Sequence, residues 1–223
     1  MGGSDCERIG RGLLAQPANT LSTLAYVLAG ALLLSRALAR RSQARAACVV
    51  YAVTVVGVGI GSAAFHGPMP AWGRLAHDLS IAAVLAFVIG EAVSLARGAT
   101  AARGLAVFGA LTAVCAAVLA AWPDAADGLD AVLFAGAVAA EVAAARLPAA
   151  RATVDARIWI LGAGVLAIGA ILNALGRTGG PWCDPDSVVQ LHAVWHVITA
   201  FVLWLYGVAV LGPREQARPK IRT

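Results

Sequence analysis

The sequence predicts an all-α membrane protein, built as a bundle of seven transmembrane helices. Of its 223 residues, 60% are hydrophobic and 13% are charged, and the mean hydropathy is +0.79. This composition excludes an ordinary soluble domain. The apolar residues fall into seven runs, each close to the roughly 20 residues that a helix needs to cross a bilayer. The runs cover residues 17–36, 47–65, 75–96, 104–122, 129–147, 157–175 and 189–211.

The connections between the runs are short, so we expect residues 1–223 to form a single domain. The first run also fits a signal peptide, because Arg8 and Arg11 precede it and Ala37-Leu38-Ala39 follows it. It is, however, longer than the roughly 7–15 apolar residues of a signal peptide. This length favours a retained first helix.

The basic residues predict the orientation of the bundle. Arg8, Arg11, Arg74 and Arg177 lie on the side of the N-terminus, and the other thirteen of the 17 Lys and Arg residues lie on the opposite side. Because basic loops stay in the cytoplasm, the N-terminus is predicted to face outside and the C-terminus the cytoplasm. The basic charge follows from this topology, so we predict no nucleic-acid partner. One Lys among the 17 basic residues and the abundance of Ala indicate a high-GC bacterium, hence an inner membrane.

Polar side chains recur near the predicted outer ends of the first two helices. Asn19 and Ser22 share a face of the first helix, where hydrogen bonding between helices accounts for them. Asn19 is also placed to support a neighbouring site. Ser62 and His66 lie four residues apart near the end of the second helix, and therefore one turn apart on one face. Taken alone, Ser62 fits a serine bonded to its own helix, and His66 an interfacial residue.

The third helix begins with His77-Asp78 at the same predicted depth. Asp78 fits a first-turn carboxylate favoured by the helix dipole. A carboxylate inside a membrane is costly, however, and its depth beside the histidines favours a functional role. Adjacent helical residues point about 100° apart, so His77 is interpreted as interfacial.

The last helix carries the most specific signal, His192-Ala193-Val194-Trp195-His196. Two histidines four apart on a helix can converge on one metal ion. With His66 they make three histidines at one face, which is a ligand set of catalytic zinc with an open fourth position. Zinc lowers the pKa of bound water to about 7.

This constellation suits hydrolysis of a lipid amide or ester. The zinc-bound water would be the nucleophile, and Asp78 is placed to act as its general base. Ser62, one turn from a ligand, is placed to hydrogen-bond the developing oxyanion. A lipid-like substrate is expected because the site lies inside the membrane.

The residues of this site resemble the alkaline ceramidase family. The matching stretches are Gly61-Ser62-Ala63-Ala64-Phe65-His66-Gly67, Asp78, His192-Ala193-Val194-Trp195-His196, and the opening from Cys6-Glu7 through Asn19-Thr20-Leu21-Ser22. The family belongs to a wider group of seven-helix membrane hydrolases, with the adiponectin-receptor-like and the lipid-remodelling Per1 proteins. The resemblance implies zinc held by His66, His192 and His196, with Asp78 and Ser62 assisting. It also implies hydrolysis of ceramide to a sphingoid base and a fatty acid.

The resemblance bears on a disulfide and on calcium as well. Cys6 and Cys183 both lie on the predicted outer face, where they could pair, and the resemblance implies a disulfide between them. Eukaryotic members bind calcium through an acidic N-terminal segment and a Glu at the start of the first helix. Glu7 matches and Asp5 is a candidate, but Gln16 replaces that Glu and the segment is shorter. This departure argues against regulation by Ca²⁺.

Two alternatives stand beside the zinc-dependent amidase. One is a seven-helix sensor of the adiponectin-receptor-like type, with zinc in a structural role, and the other is a related hydrolase of another lipid. The predicted orientation favours the amidase, because proteins of the receptor-like group cross the membrane in the opposite orientation. We therefore expect a ceramide-like membrane lipid as the partner, with no obligate protein partner, and an active site towards the periplasmic face.

Overall fold

A computed structural model describes residues 1–39, 45–96, 100–147 and 156–210 of the chain. Within these ranges the regular structure is helical, apart from turns, and includes one short 3₁₀ turn at Pro123–Ala125. The α-helices are α1 (Pro17–Ser22), α2 (Leu24–Leu38), α3 (Arg45–His66), α4 (Gly73–Ala96), α5 (Ala101–Ala121), α6 (Ala126–Ala145), α7 (Ala156–Leu175) and α8 (Leu191–Val210).

Seven helical spans are long and apolar enough to cross a membrane. They are Pro17–Leu38, which joins α1 and α2, then Arg45–His66, Gly73–Ala96, Ala101–Ala121, Pro123–Ala145, Arg157–Leu175 and Leu191–Ala209. The predicted all-α class with seven transmembrane helices is confirmed. The direction in which the bundle crosses the membrane stays a prediction.

The first span is interrupted at Thr23, between α1 and α2. The Thr23 hydroxyl donates to the Thr20 carbonyl at 2.7 Å, and the Ser22 hydroxyl donates to the Asn19 carbonyl at 2.9 Å. Hydroxyl groups that bond back to the preceding turn bend helices. The interruption leaves the Asn19 carbonyl close enough to α8 to receive a hydrogen bond from it.

Helix α3 packs between α2 and α4 and also contacts α8, while α5 and α6 pack against α4 and α7 against α8. The core at one end of α3 is apolar, with Tyr51, Val55 and Phe87 almost fully buried. The Tyr51 hydroxyl donates to the Leu203 carbonyl of α8 at 2.8 Å. The other end of α3, where His66 ends the helix, is polar and carries the candidate site.

Two non-helical segments, residues 1–16 and 176–190, close that polar end. We call this end, with its two covering segments, the capped end of the bundle. Cys6 and Cys183 form a disulfide between them, with the two Cα atoms 5.6 Å apart. The Arg8 amide donates to the Pro185 carbonyl at 3.1 Å, and the Arg8 guanidinium pairs with Asp186. The two segments are therefore joined to each other over the site by a covalent bond and by hydrogen bonds.

Close packing of α3 on α4 depends on Gly61. A Cβ at this position would lie 2.6 Å from the Ala76 carbonyl oxygen and 2.9 Å from its carbon, whereas a Cβ at Gly57, one turn earlier, would meet nothing within 4 Å. We expect Gly61→Ala to destabilise the protein by about 1–3 kcal/mol, because backbone must move to accept the methyl group. Gly57→Ala is the matched control, and it should hold or raise stability because Ala favours the helix. Thermal unfolding in detergent, followed by circular dichroism, checks this; equal melting temperatures for both variants would contradict it.

The disulfide makes a second prediction. Mass spectrometry of protein digested without reduction should show one linked pair of peptides that contains Cys6 and Cys183. Alkylation of the unfolded, unreduced protein should label Cys115, which is a reduced thiol, but neither partner of the bridge. Replacing both bridge cysteines with Ser should lower stability by roughly 2–4 kcal/mol, because the unfolded chain regains the entropy of a long loop. Alkylation of Cys6 in native, unreduced protein would argue against the bridge.

Candidate metal centre

Three histidines meet at the capped end. His66 ends α3, and His192 and His196 occupy the first two turns of α8. One possible ligand atom from each lies within 4.8 Å of the others. The ring centroids are 4.5 Å apart between His192 and His196, and 5.0 and 5.2 Å from His66 to each of them. The triad could hold a metal ion.

Each Nδ1 atom of the triad has an oxygen partner. His66 Nδ1 lies 2.7 Å from Gln16 Oε1, and His192 Nδ1 lies 2.9 Å from Asn173 Oδ1. His196 Nδ1 lies 3.2 Å from the Asn19 carbonyl and 2.8 Å from the Ser22 hydroxyl. Amide and carbonyl oxygens only accept, so the proton resides on Nδ1 in all three rings. In the neutral ring, each Nε2 then keeps a lone pair for a metal.

Two of these lone pairs are buried and unused. His66 Nε2 and His192 Nε2 have no hydrogen-bond partner among the described residues, and both atoms are inaccessible to solvent. A buried polar atom without a hydrogen-bond partner is unfavourable, and in a native protein it commonly marks a bound ion or a catalytic role. Zinc favours a donor set of three neutral imidazoles with a fourth position open. In such a set each ring is held by a hydrogen bond at Nδ1, and its Nε2 points towards the metal. The residues fit a zinc ion.

Gln16 connects the N-terminal segment to this centre. Its side chain is fully buried; Oε1 accepts from His66, and Nε2 donates to the Gly2 and Glu7 carbonyls, both at 2.8 Å. The two carbonyl acceptors fix which end of the amide faces His66. The backbone supports the same contact, since the Gln16 amide donates to the His66 carbonyl at 3.0 Å. The orientation of His66 therefore depends on residues 1–16.

The two candidate calcium ligands have protein partners here. The Glu7 carboxylate accepts from the Ala18 amide at 2.7 Å and the Asn19 amide at 2.8 Å, so it satisfies free N–H groups at the start of α1. Asp5 is buried, with carboxylate oxygens 4.0 Å from His66 Nδ1 and 3.8 Å from His192 Nδ1. Burial raises the pKa of Asp5, because water no longer solvates the charged form, although a bond from the Ser4 hydroxyl opposes the shift.

Asn19 lies beside the triad and is fully buried. Its backbone carbonyl accepts a hydrogen bond from His196 Nδ1 and so helps to orient this ring. Its side-chain Oδ1 and Nδ2 have no partner among the residues that the structure describes. Among the described residues, the buried side-chain atoms that lack a hydrogen-bond partner include those of Asn19, His66 and His192. These three residues lie around one centre.

Asp78 and Ser62 are both buried near this centre. Asp78 Oδ1 lies 2.8 Å from His77 Nδ1, and Oδ2 lies 3.7 Å from Arg74 Nε. Ser62 lies one turn before His66 on α3. In the described parts of the chain, no hydrogen bond joins Asp78 or Ser62 directly to the triad.

His77 lies closer to the triad than its interpretation as an interfacial residue suggests. Its ring stacks on Phe65 with centroids 4.4 Å apart and lies 6.1 Å from the ring of His66. The nominal 100° between neighbouring helical side chains did not reveal this packing against α3. The sequence pattern did not reveal the roles of Gln16 and Asn173 as partners of the triad. Their shared signal is a hydrogen-bonding side chain at the depth of the histidines.

Comparison with known families completes this description. The family model described as Ceramidase matches residues 11–215, a range that contains the triad, Ser62 and Asp78. A search of curated proteins finds no match. A match over most of the chain, on a seven-helix bundle with a histidine triad at one end, shows the family. The chain belongs to the ceramidase family, whose members are hydrolases that act on the amide bond of a membrane lipid.

Proposed function

We propose that this protein is a zinc-dependent intramembrane amidase that hydrolyses ceramide, or a close relative, to a sphingoid base and a fatty acid. The observation that carries the proposal is the pair of buried, unpartnered Nε2 atoms on His66 and His192 within a convergent triad. The family supports the amide bond as the target. The zinc, the named residues and the substrate are our inference.

His66, His192 and His196 would hold the zinc. Bound there, the metal would act as a Lewis acid and would lower the pKa of water to about 7. The protein's contribution is to fix the tautomer and the orientation of the three rings, which the acceptors on Gln16, Asn173 and Asn19 do at each Nδ1. Weakening any of these bonds should lower metal affinity, typically by about 10–100-fold.

Hydrolysis requires a proton to leave the attacking water and a proton to reach the departing nitrogen. Asp78 is the buried carboxylate that we assign to both transfers, accepting the proton first and returning it as the C–N bond breaks. The water oxygen forms the new bond to the carbonyl carbon. Ser62 is assigned to donate a hydrogen bond to the carbonyl oxygen as negative charge develops there.

The location of the triad favours a lipid substrate. His66 ends one candidate membrane span, and His192 and His196 begin another, so we expect the centre at the edge of the apolar layer. A long-chain amide resident in the bilayer presents its polar amide at this depth while its chains stay in the apolar layer. The capped end covers the same region with residues 1–16 and 176–190.

Purified protein should release fatty acid from a fluorescent ceramide. A strong chelator should abolish the release, and zinc added in excess of the chelator should restore it. A seven-helix sensor with structural zinc would bind the lipid without turnover. Failure of zinc-loaded, folded protein to hydrolyse ceramide or any related lipid amide would refute the proposed function.

Metal analysis tests the triad independently of activity. We expect one zinc per chain in the parent protein and a loss of most of it in His192→Ala, because two histidines and water bind zinc far more weakly than three histidines. His77→Ala is the matched control, since it removes a neighbouring histidine outside the triad and should keep the zinc. Undiminished zinc in His192→Ala would end the metal assignment.

Asp78→Asn tests the general base. The amide keeps the size and polarity of the carboxylate but cannot accept the proton, so kcat should fall at least about a hundredfold. Zinc content and melting temperature should change little, because the substitution leaves the triad and its Nδ1 partners untouched. Activity within a few-fold of the parent would leave the mechanism without its base.

A further inference from the structure

The fourth histidine of the chain, His77, has no role in the mechanism above. We propose that His77 is a positioning residue that holds the Asp78 carboxylate in the orientation needed for proton transfer. The inference rests on the proposed function, because it assumes that Asp78 is the general base. Its evidence is nevertheless separate from the metal triad and comes from the contacts of the His77 ring.

The first contact is the hydrogen bond between His77 Nδ1 and Asp78 Oδ1, at 2.8 Å. An ionised carboxylate can only accept, so Nδ1 carries the proton and donates it to Asp78. A hydrogen bond to a charged acceptor is among the stronger ones, and it is directional. The bond uses one lone pair of Oδ1 and leaves the carboxylate with others for a water molecule.

The second contact fixes the imidazole itself. The His77 ring stacks on Phe65 with an interplanar angle of 24° and a centroid distance of 4.4 Å. Phe65 immediately precedes His66, and the rings of His66 and His77 are nearly perpendicular, with centroids 6.1 Å apart. The group that orients the base is therefore packed on the same turn of α3 that carries a metal ligand. This packing ties the direction of Asp78 to the position of the triad.

Arg74 does not supply the same restraint. Its Nε lies 3.7 Å from Asp78 Oδ2, which is beyond ordinary hydrogen-bond distance, and its side chain is 43% exposed. The guanidinium is also engaged elsewhere, since it donates to the Pro123 carbonyl at 2.9 Å and to Asp124 at 3.0 Å. Arg74 thus contributes positive charge near Asp78, whereas His77 restrains the orientation of the Asp78 carboxylate.

His77 is also distinct from a fourth metal ligand. Its Nδ1 is occupied by Asp78, and the convergent ligand group contains His66, His192 and His196 without it. The ring lies farther from His66 than either of the other two triad rings does, at 6.1 Å against 5.0 and 5.2 Å. A role beside the base agrees with this placement.

Two variants at one position separate the hydrogen bond from the packing. His77→Phe keeps a ring to stack on Phe65 but has no donor for Asp78, whereas His77→Asn places an amide N–H close to the position of Nδ1. We expect His77→Phe to lower kcat by roughly 10–100-fold with little change in KM, because misdirecting a reacting group by about an ångström has that effect. His77→Asn should recover most of the loss. Zinc content and melting temperature should match the parent in both.

The decisive measurement combines these variants with Asp78→Asn. If His77 acts through Asp78, adding His77→Phe to Asp78→Asn should cause little further loss, so the two effects are strongly non-additive. Additive losses, an increase in KM alone, or equal activity of His77→Phe and the parent would each overturn the inference. A parent protein without amidase activity would instead refute the proposed function. An active parent with an indifferent His77 would refute this inference alone.

Discussion

The candidate site depends on the hydrogen bonds that occupy Nδ1 of its three histidines. Each bond decides the tautomer, and the tautomer decides whether a lone pair faces the centre. The acceptors come from different parts of the chain: Gln16 before α1, Asn19 within it, and Asn173 near the end of α7. Where no water competes, such a bond is both strong and costly to lose. Helix packing at this end therefore serves to bring these oxygens within reach.

The N-terminal segment is part of the site although it forms no long helix. Glu7 satisfies the first amides of α1, and Gln16 satisfies carbonyls at Gly2 and Glu7 while it holds His66. Buried backbone polar groups, such as those of Gly2 and Glu7, are costly unless they are paired. The Gln16 side chain that pairs these carbonyls also fixes the orientation of the His66 ring. The structure of residues 1–16 and the orientation of His66 thus depend on the same hydrogen bonds.

Sequence alone predicted what depends on local spacing. Apolar runs of about 20 residues predicted the seven spans, and the four-residue spacing of His192 and His196 predicted that two rings could converge. Depth along each helix predicted that His66 would meet them. The partners of Nδ1 were not predictable, because Gln16 and His66 are 50 residues apart and meet only after α1 has packed on α3. The stacking of His77 on Phe65 was not predictable for the same reason, since it is a contact between helices.

The origin of the triad constrains the biogenesis of the protein. Ser22 and His196 are 174 residues apart and share one hydrogen bond, while His66 comes from a helix between them. During synthesis, the first helices enter the membrane with their polar oxygens facing no partner from α8. The ring nitrogens can converge only after the last helix has been inserted. A metal ion at this centre would therefore be acquired late in maturation, after α8 has been inserted.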